Sequence, residues 1–203
     1  MHRNRFAALA LAPIAALSLA GCGVNSIPTA EEEAKAKWAN VENQYQRRAD
    51  LIPNLVESVK GAAAQERNTL RELTEARAGA NRITISPDQL NDPEAMRRFS
   101  EAQGRLSQAI IPLQRLQEAY PDLKTNQNFL ALQSQLEGTE NRITVARADY
   151  NGAVQAYNTR IRTFPDVIGA KVFYGAKPMV PFEATTANAE QAPTVSFDTN
   201  TSR

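Results

Sequence analysis

The sequence predicts an all-α protein: an antiparallel helical bundle with one long C-terminal helix and kinked partner helices. Apolar residues recur at steps of three, four and seven over long stretches, which is the period of one helix face. Turn formers interrupt that period at 79–92, and prolines punctuate it after Tyr120 and Phe164. The last periodic stretch spans about 40 residues, or about 60 Å of helix, and needs neighbours along its whole length.

The elements follow in order. Thr29-Ala-Glu-Glu32 has the pattern of a capping box, with acidic residues in the first turn, and predicts a helix start there. Trp38, Val41, Tyr45, Ile52, Leu55, Val56, Val59, Ala63, Leu70 and Leu73 then form one apolar stripe. Pro53 inside it predicts a kink or a split near Leu51 and Ile52. Gly79, Asn81, Pro87, Asp88, Asn91 and Asp92 make the first inter-helix connection, and Asp92-Pro93-Glu94 opens a second helix with an Asp cap and proline at its first position. Phe99, Leu106, Ile110, Leu113 and Leu116 form its stripe, with a bend expected at Pro112. Tyr120-Pro121-Asp122 closes that helix and opens the long one, whose stripe runs through Phe129, Leu132, Leu136, Ile143, Ala146, Tyr150, Val154, Tyr157, Ile161 and Phe164. The apolar, proline-punctuated segment 167–182 is short and its two lysines are not clustered, so it is read as docking on the bundle rather than on a membrane surface. After Glu183, residues with little to bury predict a disordered tail.

The N-terminus carries a different signal. Met1-His-Arg-Asn-Arg5 is basic, the run from Phe6 to Ala20 is uncharged and apolar, and Leu19-Ala-Gly-Cys22 ends it. That is the order of a secretory signal, and the apolar run is shorter than the roughly 20 residues that span a bilayer. Leu-Ala-Gly-Cys resembles the lipobox of bacterial lipoproteins, in which the cysteine is acylated and becomes the first mature residue. The resemblance implies a signal over 1–21, a lipidated tether over 22–28 and a domain over 29–182. Each buried methylene of the acyl chains contributes about 0.8 kcal/mol to anchoring, so two or three chains hold stably. Gly23 follows the cysteine, where an aspartate would retain such a protein in the inner membrane. The expectation is therefore a lipid anchor in the bacterial cell envelope, on the periplasmic face of the outer membrane in a host that has one, and otherwise on the outer face of the cell membrane.

Composition restricts the chemistry. The only histidine is His2 and the only cysteine Cys22, so the domain has neither. Ser-His-Asp and Cys-His sites, zinc sites built on His or Cys, haem or iron–sulfur ligation through them and disulfides all fall away. Losing Arg3 and Arg5 leaves 21 basic against 22 acidic residues, a net charge of −1 with no electrostatic footprint for nucleic acid. No cofactor or metal is expected, and the chain is read as non-enzymatic.

Longer stretches carry a family resemblance. Tyr45-Gln-Arg-Arg-Ala-Asp-Leu-Ile-Pro-Asn-Leu-Val-Glu57, Tyr120-Pro-Asp-Leu-Lys-Thr-Asn-Gln-Asn-Phe129, Leu136-Glu-Gly-Thr-Glu-Asn-Arg-Ile-Thr-Val-Ala-Arg147, Asp149-Tyr-Asn151, Tyr157-Asn158 and Phe164-Pro165 together resemble the LemA family, over most of 38–182. The resemblance implies an antiparallel bundle displayed outside the cytoplasmic membrane, and no reaction. Members of that family are held by one N-terminal hydrophobic segment, whereas here the segment ends in a lipobox.

Two constellations stand out. Arg47, Arg48, Glu137, Glu140, Asn141, Arg142 and Arg147 form a possible polar interaction cluster. Its carboxylates suit acid–base work or a hard cation, or they pair with Arg47 or Arg48 of the first helix and fix bundle register, which is the favoured reading. Tyr150, Asn151, Tyr157 and Asn158 repeat at a step of seven and make either a polar–aromatic groove or, more commonly for such a stripe, a face that selects a neighbouring helix. Lys124 and Thr125 point about 100° apart on a helix and do not form a nucleophile pair. The resulting expectation is an envelope lipoprotein that serves as a scaffold or binds another envelope protein; the alternative is a ligand-binding or hydrolytic protein using Glu137 and Glu140.

Overall fold

The computed structural model describes residues 25–61, 63 and 65–183. The segments read from sequence as a signal and a tail, and Cys22, lie outside the described residues. The described residues contain α1 (Ser26–Lys60), α2 (Arg67–Asn81), a 3-10 turn (Pro87–Gln89), α3 (Pro93–Ala119), α4 (Pro121–Thr125), α5 (Gln127–Arg160), α6 (Asp166–Gly169) and a π turn (Ala170–Tyr174). No strand occurs among them, as the all-α expectation requires.

Contacts between the helices fix their directions. Ser26 lies beside Arg160, Lys37 beside Asp149 and Arg48 beside Glu140, so α1 and α5 run antiparallel over their whole lengths. Arg77 donates to the Ala49 carbonyl, which turns α2 back along α1. Phe99 meets Trp38 and Gln103 meets Arg48, so α3 runs with α1. The result is an up-down-up-down bundle. Its second helix is short: 15 residues, about 22 Å, against 35 residues and about 52 Å for α1. The half of the bundle that α2 fails to cover is completed by the loop 82–92 and by the non-helical strap 175–183, joined where Val180 N–H donates to the Leu90 carbonyl.

Helix ends follow the expected chemistry in part. The Asp92 side chain accepts from Glu94 N–H, with Pro93 at the first position of α3, and the Asn126 side chain caps α5 through Asn128 and Phe129 N–H. The Thr29 box does not form. The helix starts at Ser26 with Pro28 in its first turn, where its missing N–H is harmless, and the Thr29 hydroxyl donates back to the Asn25 carbonyl. The expected tether thus loses its last residues to α1.

Pro53 and Pro112 split nothing. Each sits between buried residues that hold both sides of the helix to one core: Ile52 and Leu55 in α1, Ile110 and Leu113 in α3. Tertiary packing offsets the lost backbone bond, about 3 kcal/mol. The break comes instead between Lys60 and Arg67, inside the stripe that the sequence carries on to Leu73. Here Asn54, Glu57 and Ser58 already face Asn128 and Leu132 at the start of α5. A longer α1 would run past its partner into water, while a turn at Gly61 returns Leu73 to the core of Leu55 and Val59.

Candidate functional site

Two apolar cores fill the bundle. One gathers Ile27, Trp38, Val41, Tyr45, Phe99, Ile143, Tyr150 and Val154, and the other Ile52, Leu55, Val59, Leu106, Ile110, Leu113, Phe129 and Leu136. A polar belt separates them. It falls in the same seven-residue gap of three stripes: between Tyr45 and Ile52, between Phe99 and Leu106, and between Leu136 and Ile143.

Arg48 is the centre of the belt and is 1% exposed. Its Nη1 donates to Glu140 Oε1 at 2.9 Å and to Ser107 Oγ at 2.8 Å, and its Nη2 to the Gln103 side chain at 2.7 Å and its carbonyl at 3.2 Å. The guanidinium also lies 4.9 Å from the Tyr45 ring centroid. One side chain therefore joins α1, α3 and α5. The charge and four hydrogen bonds can be satisfied in only one register, since sliding any helix by a turn strips a buried guanidinium of partners.

The remaining members of the predicted cluster do not converge on it. Arg47, Glu137, Asn141 and Arg142 are exposed. Glu137 accepts from Gln133, and Arg142 donates to Thr139 within its own helix. Arg147 faces the strap, stacked 4.1 Å from the Phe182 ring centroid and donating to the Glu183 carbonyl. Gln103 and Ser107, the α3 partners of Arg48, go unmarked in the sequence patterns. The signal that finds Gln103 is the gap itself, a polar residue where the apolar stripe of α3 skips a turn; Ser107 lies one residue past Leu106, outside that gap.

The stripe of Tyr150, Asn151, Tyr157 and Asn158 is shared between two neighbours: the Tyr150 ring packs edge-on against Trp38 of α1, and the asparagines face the strap. It forms a groove that the chain's own strap fills. Asn151 Nδ2 donates to the Phe182 carbonyl at 2.9 Å and its Oδ1 accepts from Phe182 N–H at 2.7 Å. Asn158 does the same for Met179, at 2.8 and 2.9 Å. Seven helical residues advance about 10.5 Å, and three residues of extended chain about 10 Å, so two asparagines seven apart match two strap residues three apart. The Tyr150 hydroxyl donates to the Val180 carbonyl between them. Burial pushes that hydroxyl well up from its usual value, which keeps it a neutral donor. Met179 and Phe182 point inward, and Phe182 completes an aromatic box with Trp38, Tyr45 and Phe99. Because the asparagines read backbone, they set the position of the strap. Its apolar side chains supply the burial.

Glu42 is the one carboxylate among the described residues that burial pushes up, against the opposing pull of the Ile85 N–H. It lines a shallow hollow with Tyr45, Asn81, Thr84 and Gln103. Among the described residues, no three His, Cys, Asp or Glu come together as metal ligands, and no helix is long and apolar enough to cross a membrane.

The fold and its two polar devices define a helical-bundle module whose fourth wall is half helix and half strap. The chain belongs to the LemA family, whose sequence model matches residues 37–197. It is similar to the magnetosome protein MamQ 2 of Paramagnetospirillum magneticum AMB-1, 28% identical over 157 residues, and to the magnetosome protein MamQ of Magnetospirillum gryphiswaldense MSR-1, 28% identical over 158 residues. In both comparisons the match covers 70% of this chain and 58% of the relative's length. The family match runs beyond residue 183, where composition changes.

Proposed function

We propose that this chain is a bacterial envelope lipoprotein, cleaved before Cys22 and acylated there, whose bundle acts as a non-enzymatic scaffold or interaction module for another envelope protein. The observation that carries the non-enzymatic part is the use made of the candidate polar groups. Glu140 is held by the Arg48 guanidinium, and both asparagines of the groove are occupied by the chain's own strap. A general acid or base works on a proton of a bound substrate, and Glu140 already faces a fixed cation. The anchor rests on Leu19-Ala-Gly-Cys22 behind a short apolar run.

Intact mass spectrometry of detergent-extracted protein beside Cys22→Ser tests the anchor. A mature mass beginning at residue 22 plus acyl chains, lost in the variant, is expected; an unprocessed or unacylated chain refutes it. Crosslinking in envelope preparations tests the module. A specific partner lost on surface substitution is expected, and no specific partner under several crosslinking chemistries counts against it. Glu137→Gln with Glu140→Gln separates the hydrolytic alternative: lost turnover or ligand binding at unchanged melting would favour it over the scaffold.

A further inference from the structure

Five of the eight large hydrophobic side chains exposed among the described residues fall within eleven positions: Phe164 (80%), Ile168 (54%), Val172 (69%), Phe173 (70%) and Tyr174 (42%). The other three, Ile111, Leu130 and Val145, are scattered singly over α3 and α5, which is ordinary for a protein surface. Five such side chains within one eleven-residue segment are not. Segment 164–174 connects the end of α5 to the strap, and its backbone is held from within. Val167 N–H donates to the Thr163 carbonyl, and Gly169 and Ala170 are buried. The exposed side chains are therefore displayed by an ordered backbone.

Their place in the bundle identifies what they meet. Ser26, the first residue of α1, donates its hydroxyl to Asp166 at 2.8 Å, Arg160 donates to the Ser26 carbonyl, and Ile27 packs on Gly169. The patch and the N-terminus of α1 thus share one end of a bundle about 52 Å long. Cys22 precedes Ser26 by four residues, a reach of at most about 14 Å in any conformation. A chain anchored at Cys22 therefore holds this end, and no other, against the bilayer.

We propose that residues 164–174 form a lipid-contacting foot, inserting Phe164, Ile168, Val172, Phe173 and Tyr174 at the headgroup–acyl boundary of the membrane that carries the anchor. This rests on the acyl anchor proposed above. The charges around the foot fit an anionic surface: Arg160, Arg162 and Lys171 are exposed near it, against Asp166, which is engaged by Ser26, while Lys177 lies farther along beside Glu31 and Asp88. Aromatic side chains with flanking Lys and Arg are the composition that membrane interfaces favour. The foot adds a second attachment point to the lipid, and two points fix the orientation of a rod that a single point of attachment would leave free. The sequence segment 167–182 accordingly divides in two, its first part facing lipid and its second, the strap, docked on the bundle.

The test uses the full processed chain in phosphatidylethanolamine–phosphatidylglycerol vesicles, with and without dibrominated phosphatidylcholine as a short-range quencher. Phe173→Trp places a reporter in the foot, and Leu130→Trp places one about 45 Å away along α5. The native Trp38 is buried and supplies a common background. Binding to the vesicles should blue-shift the Phe173→Trp emission and bromolipid should quench most of it, with Leu130→Trp unchanged by either. Flotation and intact mass report separately on the anchor. A protein that floats with its acyl chains in place but shows no quenching at Phe173→Trp overturns the foot and keeps the anchor. One that lacks acyl chains by intact mass and is still quenched keeps the foot and removes the anchor, and loss of both signals removes both. Crosslinking through position 173 to a second copy, without bromolipid quenching, also overturns the proposal.

Discussion

Replacing Asn158 with alanine deletes both hydrogen bonds to the Met179 backbone while leaving every apolar contact of the strap in place. Each such bond contributes about 1 kcal/mol net, so the loss is about 2 kcal/mol if the strap stays, with Met179 N–H and carbonyl left short of partners. Detaching the strap instead exposes Met179 and Phe182, at about 1.5–3 kcal/mol each. Staying put is the cheaper response for Asn158→Ala alone. Adding Asn151→Ala raises the cost of staying to about 4 kcal/mol, which approaches the cost of release, so the double variant should lose less than the sum of further strap contacts would suggest. Amide hydrogen exchange reads this directly: exchange at Met179 N–H should quicken by about 30-fold in Asn158→Ala, the equivalent of 2 kcal/mol, with a smaller effect at Phe182. Urea denaturation should show the same loss, and Asn158→Asp, which keeps the acceptor and loses the donor, should fall between. Unchanged protection of Met179 in Asn158→Ala would refute the account of the groove as a backbone clamp.

Further outcomes follow from the belt, the loop and the strap. Arg48→Ala should cost about 3–5 kcal/mol in urea unfolding, because it empties a buried site and orphans the Gln103 amide, whereas Arg48→Met combined with Gln103→Leu should recover most of that loss. Glu140→Gln should cost only about 1–2 kcal/mol, since the Glu140 side chain is 41% exposed and water shares in its pairing with Arg48. Gly175 ends the π turn at φ 55° with open space around its α-carbon, so Gly175→Ala should destabilise by about 1 kcal/mol through backbone conformation alone, and Gly175→Asn by less. Burial raises the Glu42 carboxyl, so the folded state binds its proton more tightly than the unfolded chain does. That contribution is present at low pH and lost as pH rises through the raised value; relative to Glu42→Gln, the wild type should gain stability as pH falls from neutral toward the ordinary glutamate value near 4.5. Parallel stability–pH curves for the two proteins would remove Glu42 as the source.

Local chemistry alone determined much of this protein. Periodicity set the helical class and the main stripes, Asp92-Pro93 fixed a helix start, and Tyr120-Pro121 a junction, because caps and proline act within one turn of chain. A register pairing between the carboxylates of α5 and Arg47 or Arg48 was legible in kind, and packing selected Arg48. Its partners Gln103 and Ser107 were not, because only packing brings α3 there. Asn151 and Asn158 announced themselves by their spacing, but spacing along a helix says nothing of whether helix or strap lies opposite. That was decided by the shortness of α2, which leaves half a wall open for residues 175–183. The turn after Lys60 and the unbroken helices at Pro53 and Pro112 have the same origin. Propensity weighs about 1–3 kcal/mol at one position, while the burial that the whole bundle gains by matching α1 to α5 acts on every turn at once.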